Sequence, residues 1–449
     1  MANLSEVQLG SVRMLIEAAS DRALRDLEST LSTGTVRHEG MRAIQQVVAA
    51  EACDRRGRLA VFAPLVPLCS PLREGWRGLL FPHSTLIHLW RGLKLDSPNL
   101  VQAASVAAND VSGEAPTTGF DILCGKAAAG LRERGNPGFE AAAALLDKAH
   151  PNGAELFATY LDLAPVARSA LDRMPEWLGR LNEDRAVATR LAFRDAVAVA
   201  EDAGPRFLEI LFAHLEEPWA ILRLVSAVMH RPGDKYVANS ELATFGERLL
   251  DDIDDRLKVV AAFNADGGTA AGAVSGAALR LAAVQIVEFD ESVDLSREGP
   301  WGVRLTRQKR SLVQTVEGKL KGVEAQVAAA LPVQSGGFKS KGARGHPRLN
   351  QDPEERQVER ARAFLTFMHD SRLASDKLGY GSLWNKVAEN LQARLDTYVE
   401  DLLDKLRGGD SAENIDRVRA YLDVAAEFLG LVFDDRAAQI VRRRMAAAA

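Results

Sequence analysis

Strand-forming segments are what this chain has least of. Runs rich in Val, Ile, Thr and Tyr are scarce, and aromatic residues fill only 6% of 449 positions. Pleated sheets are built from such runs. Their scarcity argues against the doubly wound α/β frameworks that carry many nucleotide-dependent enzymes. Cysteine is also sparse. Cys53, Cys69 and Cys124 are odd in number and far apart, which excludes a disulfide framework and fits a reducing compartment. Charge of one sign is missing too: a net charge of -5 and a pI near 6.0 give no global attraction to nucleic acid.

Other absences narrow the chemistry. The first residues lack a basic stretch followed by an apolar one, so no secretory leader is read there and the cytoplasm is the expected compartment. The longest apolar run, Gly267 to Val287, is mostly Ala and Gly and contains Arg280. Arginine at a bilayer centre costs about 2.5–3.5 kcal/mol on insertion scales, so this run reads as a buried helix and no transmembrane segment is expected. The spacing Gly268, Gly272, Gly276 lets a second helix approach closely. "GAVSG" (Gly272–Gly276) has the wrong register for a nucleophile elbow. "GFKSKG" (Gly337–Gly342) continues with Ala343 and Arg344 where a phosphate loop needs Lys and Ser or Thr. The aspartates of "ERLLDDIDDRL" lack the glycine and spacing of a calcium loop. Apolar Leu249, Leu250 and Ile253 instead make them the wet side of a helix. The histidines are scattered; His83 and His88 are five apart, and His214 and His230 fall near helix ends. No metal site, no cofactor site and no catalytic constellation is read from the sequence, and no stretch matches a motif of a known family.

What is present is helix. Ala, Leu, Arg and Glu dominate, all good helix formers, and Pro and Gly divide the chain into helix-length pieces. Ser84 and Ser97 stand at N-cap positions, with Pro98 at a first helical position. Helices are expected over 119–134, 138–150, 154–173, 175–203, 205–216, 218–230, 240–263, 270–289, 301–331, 353–374, 383–407 and 412–444. Between 55 and 80, Pro64, Pro67 and Pro71 oppose helix, and "LAVFA" reads as a short strand or an extended buried segment. Over 301–331, Leu305, Leu312, Val316, Leu320, Val323, Val327 and Leu331 fall on one stripe about 100° wide. Trp384, Ala388, Leu391, Leu395, Tyr398 and Leu402 form a heptad seam, and Ile415, Val418, Leu422, Ala425, Leu429 and Val432 form another. Between them, Gly408 and Gly409 can stop the first helix, and Asp410 with Glu413 can form a capping box for the second. A short loop between two such helices implies an antiparallel hairpin. Asp352, Pro353 and Glu355 similarly mark a helix start.

These elements predict an all-α chain: an elongated multi-helix bundle or solenoid-like array of about a dozen or more helices, ending in a helical hairpin. Four regions are expected. Residues 1–136 are helical with an irregular proline-rich stretch at 55–80, and 137–332 form a central helical bundle. Residues 333–352 are a flexible basic linker, and 353–449 form the C-terminal hairpin.

The candidate binding residues lie between 300 and 350. Ten basic residues there face only Glu317 and Glu324, a local balance of +8 in an acidic chain. Arg304, Arg307, Arg310, Lys321, Lys339, Lys341, Arg344 and Arg348 are the expected contacts for an acidic protein partner or an anionic membrane surface. The acidic stretches upstream, Glu247–Asp255 and Glu288–Glu298, are expected to pair with the same segment. Trp219, on the helix after Pro218, is a candidate partner anchor. Phe338 is the only aromatic in the basic loop, which gives little support for base stacking. The reading is a cytoplasmic, non-enzymatic scaffold or adaptor, peripheral to a membrane if the basic segment meets lipid. The alternative is an all-α enzyme whose active site is dispersed among charged residues; a deep cavity ringed by polar side chains would favour it.

Overall fold

Short polar residues cap some of the helices. Asn136 accepts hydrogen bonds from the Gly138 and Phe139 amides, with Pro137 at the first helical position. Ser5 and Gln8 form a reciprocal capping box. Ser97 precedes Pro98 as expected, but its hydroxyl donates to Asp96 instead of capping the helix. The computed structural model describes residues 5–33, 39–73, 75–110, 117–179, 183–230, 233–334, 346–408 and 412–448.

Twenty α-helices occupy the described residues. The first twelve are α1 (Glu6–Ala18), α2 (Asp21–Thr33), α3 (Glu39–Val61), α4 (Val66–Cys69), α5 (Thr85–Asp96), α6 (Pro98–Ala107), α7 (Thr118–Glu133), α8 (Pro137–Ala149), α9 (Gly153–Trp177), α10 (Glu183–Val197), α11 (Ala203–His214) and α12 (Ile221–Val228). The other eight are α13 (Asp234–Val237), α14 (Ala243–Ala261), α15 (Gly268–Ser292), α16 (Pro300–Ala330), α17 (Glu355–Leu378), α18 (Gly381–Arg407), α19 (Ala412–Val432) and α20 (Asp435–Ala448). Strand is limited, among the described residues, to a two-residue ladder. β1 (Val333–Gln334) pairs antiparallel with β2 (His346–Pro347), Val333 opposite Pro347. The fold is therefore the all-α multi-helix array that the composition implies.

Two compact units divide the chain, Met1–His230 and Arg231–Ala449. The expected boundaries at 136/137, 332/333 and 352/353 fall inside these units. Helices α7, α8 and α9 pack on one another across the first, and α16 packs on α17 across the other two.

In the first unit, α9 runs through Pro165 and on past Pro175, although the sequence predicts a break just before Pro175. Pro175 sits in the last turn, and neighbours α7, α8, α10 and α11 bury much of the helix. Packing therefore offsets the lost backbone bonds. The stretch "LAVFA" is neither strand nor extended. Its first three residues end α3, and a 3₁₀ turn (Ala63–Leu65) and α4 follow. Pro64 and Pro67 each sit at the start of one of these short helices, where a missing N–H does no harm. Trp219, the expected partner anchor, lies in a 3₁₀ turn and is 7% exposed, packed in the core. Cys69 and Cys124 are buried free thiols, each pushed up to about 12 by burial.

In the second unit, every member of the α16 stripe from Leu305 to Leu331 is buried, against α14, α17 and α18. Asp234 Oδ2 accepts the Gly302 amide (3.0 Å) in the first turn of α16. The hairpin of α18 and α19 buries both heptad seams, with Ile415 half-buried at one end. The expected caps at Gly409, Asp410 and Glu413 lie outside the described residues and side chains. The expected helix 412–444 is two helices: the chain breaks at Phe433–Asp434, and Asp434 accepts the Ala437 amide (2.8 Å) to start α20. Helix α17 begins at Glu355, two residues later than the Asp352–Pro353 signal, and its N-cap is Glu354 without a side-chain bond.

The glycine spacing on α15 has the packing role expected of it. A Cβ on Gly272 would run into the Ala363 carbonyl on α17, and one on Gly276 would meet Asp370. Arg280 pairs with Asp370 at 3.5 Å. Ala265–Ser292 is the one helical stretch among the described residues long and apolar enough to cross a membrane, and half of its apolar window is buried. There is no clear transmembrane segment.

Two glycines should respond to alanine with opposite signs. Gly272→Ala must push α17 away and should cost about 1–3 kcal/mol. Gly318→Ala, in the interior of α16 with open space around it, should gain about 0.5–1 kcal/mol. Urea denaturation midpoints check both.

Candidate functional site

The predicted basic residues separate into two sets. Arg304 on α16 is tied to α14: its guanidinium meets Glu247 (2.9 Å), Asp251 (2.5 Å) and Asp254 (2.6 Å). Arg304 is thus engaged within the second unit. Lys309 pairs with Asp290 (3.6 Å) and Lys319 donates to the Phe263 carbonyl (3.1 Å). Arg348 donates to Asn350 (2.9 Å). Part of the positive segment thus answers the acidic stretches upstream, as their charges imply. Partial burial works against the Asp254 carboxylate, but the hydrogen bond and charge of Arg304 outweigh it and hold the group below its usual range.

Arg307, Arg310 and Lys321 behave differently. All three are exposed, and among the described residues none makes a hydrogen bond or ion pair. At 100° per residue they share a sector about 60° wide, spread over about 21 Å of helix. Val303, 54% exposed, falls in the same sector. Lys339, Lys341 and Arg344 lie outside the described residues.

A second assembly of charge was not read from the sequence. On α3, Glu51, Asp54, Arg55 and Arg58 follow the spacing i, i+3, i+4, i+7 that places residues on one helix face. On α5, Ile87, Trp90, Arg91 and Lys94 repeat it. With His83 and the turn from Glu17 to Asp21, these faces line a cleft of about 420 Å³. A neighbouring cleft of about 440 Å³ shares Glu17, Glu51, Asp54 and Lys94 and continues to Leu9, Ile16 and Val47.

Arg55 organises this region. It is 7% exposed, and its five N–H groups all have partners. Nη2 donates to the Ile16 (3.0 Å) and Glu17 (3.1 Å) carbonyls, Nη1 to the Ala19 carbonyl (2.8 Å) and Asp21 (2.7 Å), and Nε to Glu51 (2.8 Å). The end of α1 and the start of α2 are thereby fastened to α3. Asp54 accepts from Trp90 Nε1 and Lys94 Nζ, both at 2.9 Å. Arg58 and Arg91 make no hydrogen bond or ion pair among the described residues. Burial pulls the Arg58 guanidinium below its ordinary value; Asp21, Asp54 and Glu51 attract it and Arg55 repels it.

The expected histidine roles are modest in the structure. His214 Nε2 lies 2.9 Å from the Pro64 carbonyl, and burial lowers its pKa. Among the described residues no three His, Cys, Asp or Glu side chains are grouped to hold a metal ion. No protein-family model matches the chain, and neither does any curated protein or solved structure.

Replacing Arg304 tests its place in the fold. R304Q leaves Glu247, Asp251 and Asp254 facing one another and should lower stability at neutral pH by about 1.5–3 kcal/mol. Because the folded Asp254 value is depressed, the wild-type advantage is full above the unfolded value of about 4 and fades as pH falls through the folded one. Chemical denaturation of both proteins across an acid pH series measures the gap.

Proposed function

We propose that the chain is a non-enzymatic helical scaffold whose second unit binds an acidic segment of a partner protein along the outer face of α16. The observation that carries this reading is the row Arg307, Arg310 and Lys321. These cations stay unpaired although their neighbours Arg304 and Lys309 are neutralised within the protein. The stripe on the opposite side of α16 is buried, which holds the row in place and removes the ordering cost that a free amphipathic helix would bear.

A lipid surface is the weaker target. The apolar side of α16 is already covered and cannot insert, so charge alone would remain, about 1 kcal/mol per basic residue. A protein segment can add contact with exposed Val303. A cytoplasmic setting goes with this reading. The observation that favours the alternative, an all-α enzyme or other small-ligand protein, is the polar cleft on α3 and α5.

A glutamate-rich helical peptide should bind the full chain at low salt and be released by moderate salt. R307E/R310E/K321E should abolish this while the variant stays folded, because none of the three side chains makes a hydrogen bond or ion pair among the described residues. Equal peptide binding by wild type and variant would refute the assignment. Sedimentation with phosphatidylserine vesicles, without any peptide binding, would transfer the surface to a membrane.

A further inference from the structure

We infer that the cleft between α3 and α5 in the first unit is a binding site for a small multivalent oxyanion, held between the guanidinium groups of Arg58 and Arg91. The argument begins with which charges are already used. Asp21 and Glu51 are engaged by Arg55, and Asp54 by Trp90 and Lys94. That leaves Arg58, Arg91 and the His83 imidazole facing a single unengaged carboxylate, Glu17, on the lining of the same cleft. The lining is balanced in formal charge, four cations against four carboxylates, but the N–H donors of Arg58 and Arg91 are unused, and such donors grip planar or tetrahedral oxyanions through paired N–H groups.

The surroundings fit a ligand better than a stray surface charge. Arg58 projects from the same face of α3 as Arg55, and Arg55 is immobilised by five bonds. The backbone that carries Arg58 is thereby fixed, so the site is largely formed before anything enters it. Asp21, Asp54 and Glu51 attract Arg58 without bonding it, and an anion in direct contact would further offset its desolvation. Ile87 and Trp90 supply apolar wall, with Trp90 1% exposed. Phosphoryl and carboxylate groups share the required chemistry.

Titration calorimetry of the full chain with inorganic phosphate and with succinate, at ionic strength matched by chloride, tests the site. One or both should bind, and the one that does identifies the group as phosphoryl or carboxylate. R58Q and R91Q should each weaken binding by about tenfold or more. Arg91 is exposed, so R91Q keeps the test valid even if R58Q disturbs packing. E17Q, which removes the opposing carboxylate, should tighten binding. R307E/R310E/K321E should leave it unchanged, which separates this site from the scaffold surface. Failure of both anions to bind beyond the chloride control would overturn the inference, as would a folded R91Q that binds like wild type or an E17Q that binds more weakly.

Discussion

The apolar stripe of α16 cannot be left in water, and the second unit is arranged around covering it. Seven aliphatic side chains from Leu305 to Leu331 are buried, each contributing about 1.5–3 kcal/mol on full burial before entropy is counted. Helices α14, α17 and α18 cover them. This arrangement fixes what α16 can show outward. The side toward α14 becomes an ion-paired seam, in which Trp301 donates to Glu247 (2.6 Å), Arg304 meets three carboxylates and Gln308 donates to the Leu250 carbonyl (2.8 Å). The remaining exposed side keeps Arg307, Arg310 and Lys321, of which Arg307 still lends its charge to Asp254.

Arginine serves two purposes in this protein, and hydrogen bonding tells them apart. Arg55, Arg304 and Arg362 are anchors. Arg362 on α17 reaches Glu427 on α19 (2.8 Å) and two glutamates of its own helix, and these partners raise its pKa despite burial. Such a guanidinium joins helices whose apolar faces have already brought them together. Its loss would strand carboxylates or carbonyls at a packed junction, where an unmade bond costs more than a made one contributes. Arg58, Arg91, Arg307 and Arg310 have no such partners, so a ligand or partner that reached them would displace no internal bond.

Helix faces were legible in the sequence wherever one helix carries its own pattern. The α16 stripe and both heptad seams could be read residue by residue, because spacing alone determines which side of a helix a residue occupies. So could the close approach at Gly272 and Gly276. Boundaries set by competition were less legible. Pro175 looks like the start of a new helix until the packing of α9 is known. The break before α20 turns on Asp434 capping in the middle of an otherwise continuous pattern. The cleft was illegible for a further reason: Glu51–Arg58 and Ile87–Lys94 each have the spacing of an ordinary solvated helix face. Only the contact of α3 with α5, some thirty residues apart in sequence, turns those faces inward on one another. For Arg304 and Trp219 the sequence shows the side chain's chemistry but not that the fold pairs the one and buries the other.

The two sets of free cations differ in curvature, and this decides what each can bind. On the convex face of α16 the charges stand in bulk water, where an exposed pair is worth about 0–1 kcal/mol and is screened by salt. Three of them can orient and select an acidic partner, but tight binding would need further contacts along the helix. In the cleft, partly buried Arg58 is screened less than the exposed cations of α16. Part of the dehydration of Arg58 has already been met by folding. A small anion therefore gains more per contact in the cleft than on the helix face, with no large interface to assemble. The same physics that makes the outer row a recognition surface for an extended segment makes the cleft a receptor for something the size of a phosphate or a short dicarboxylate.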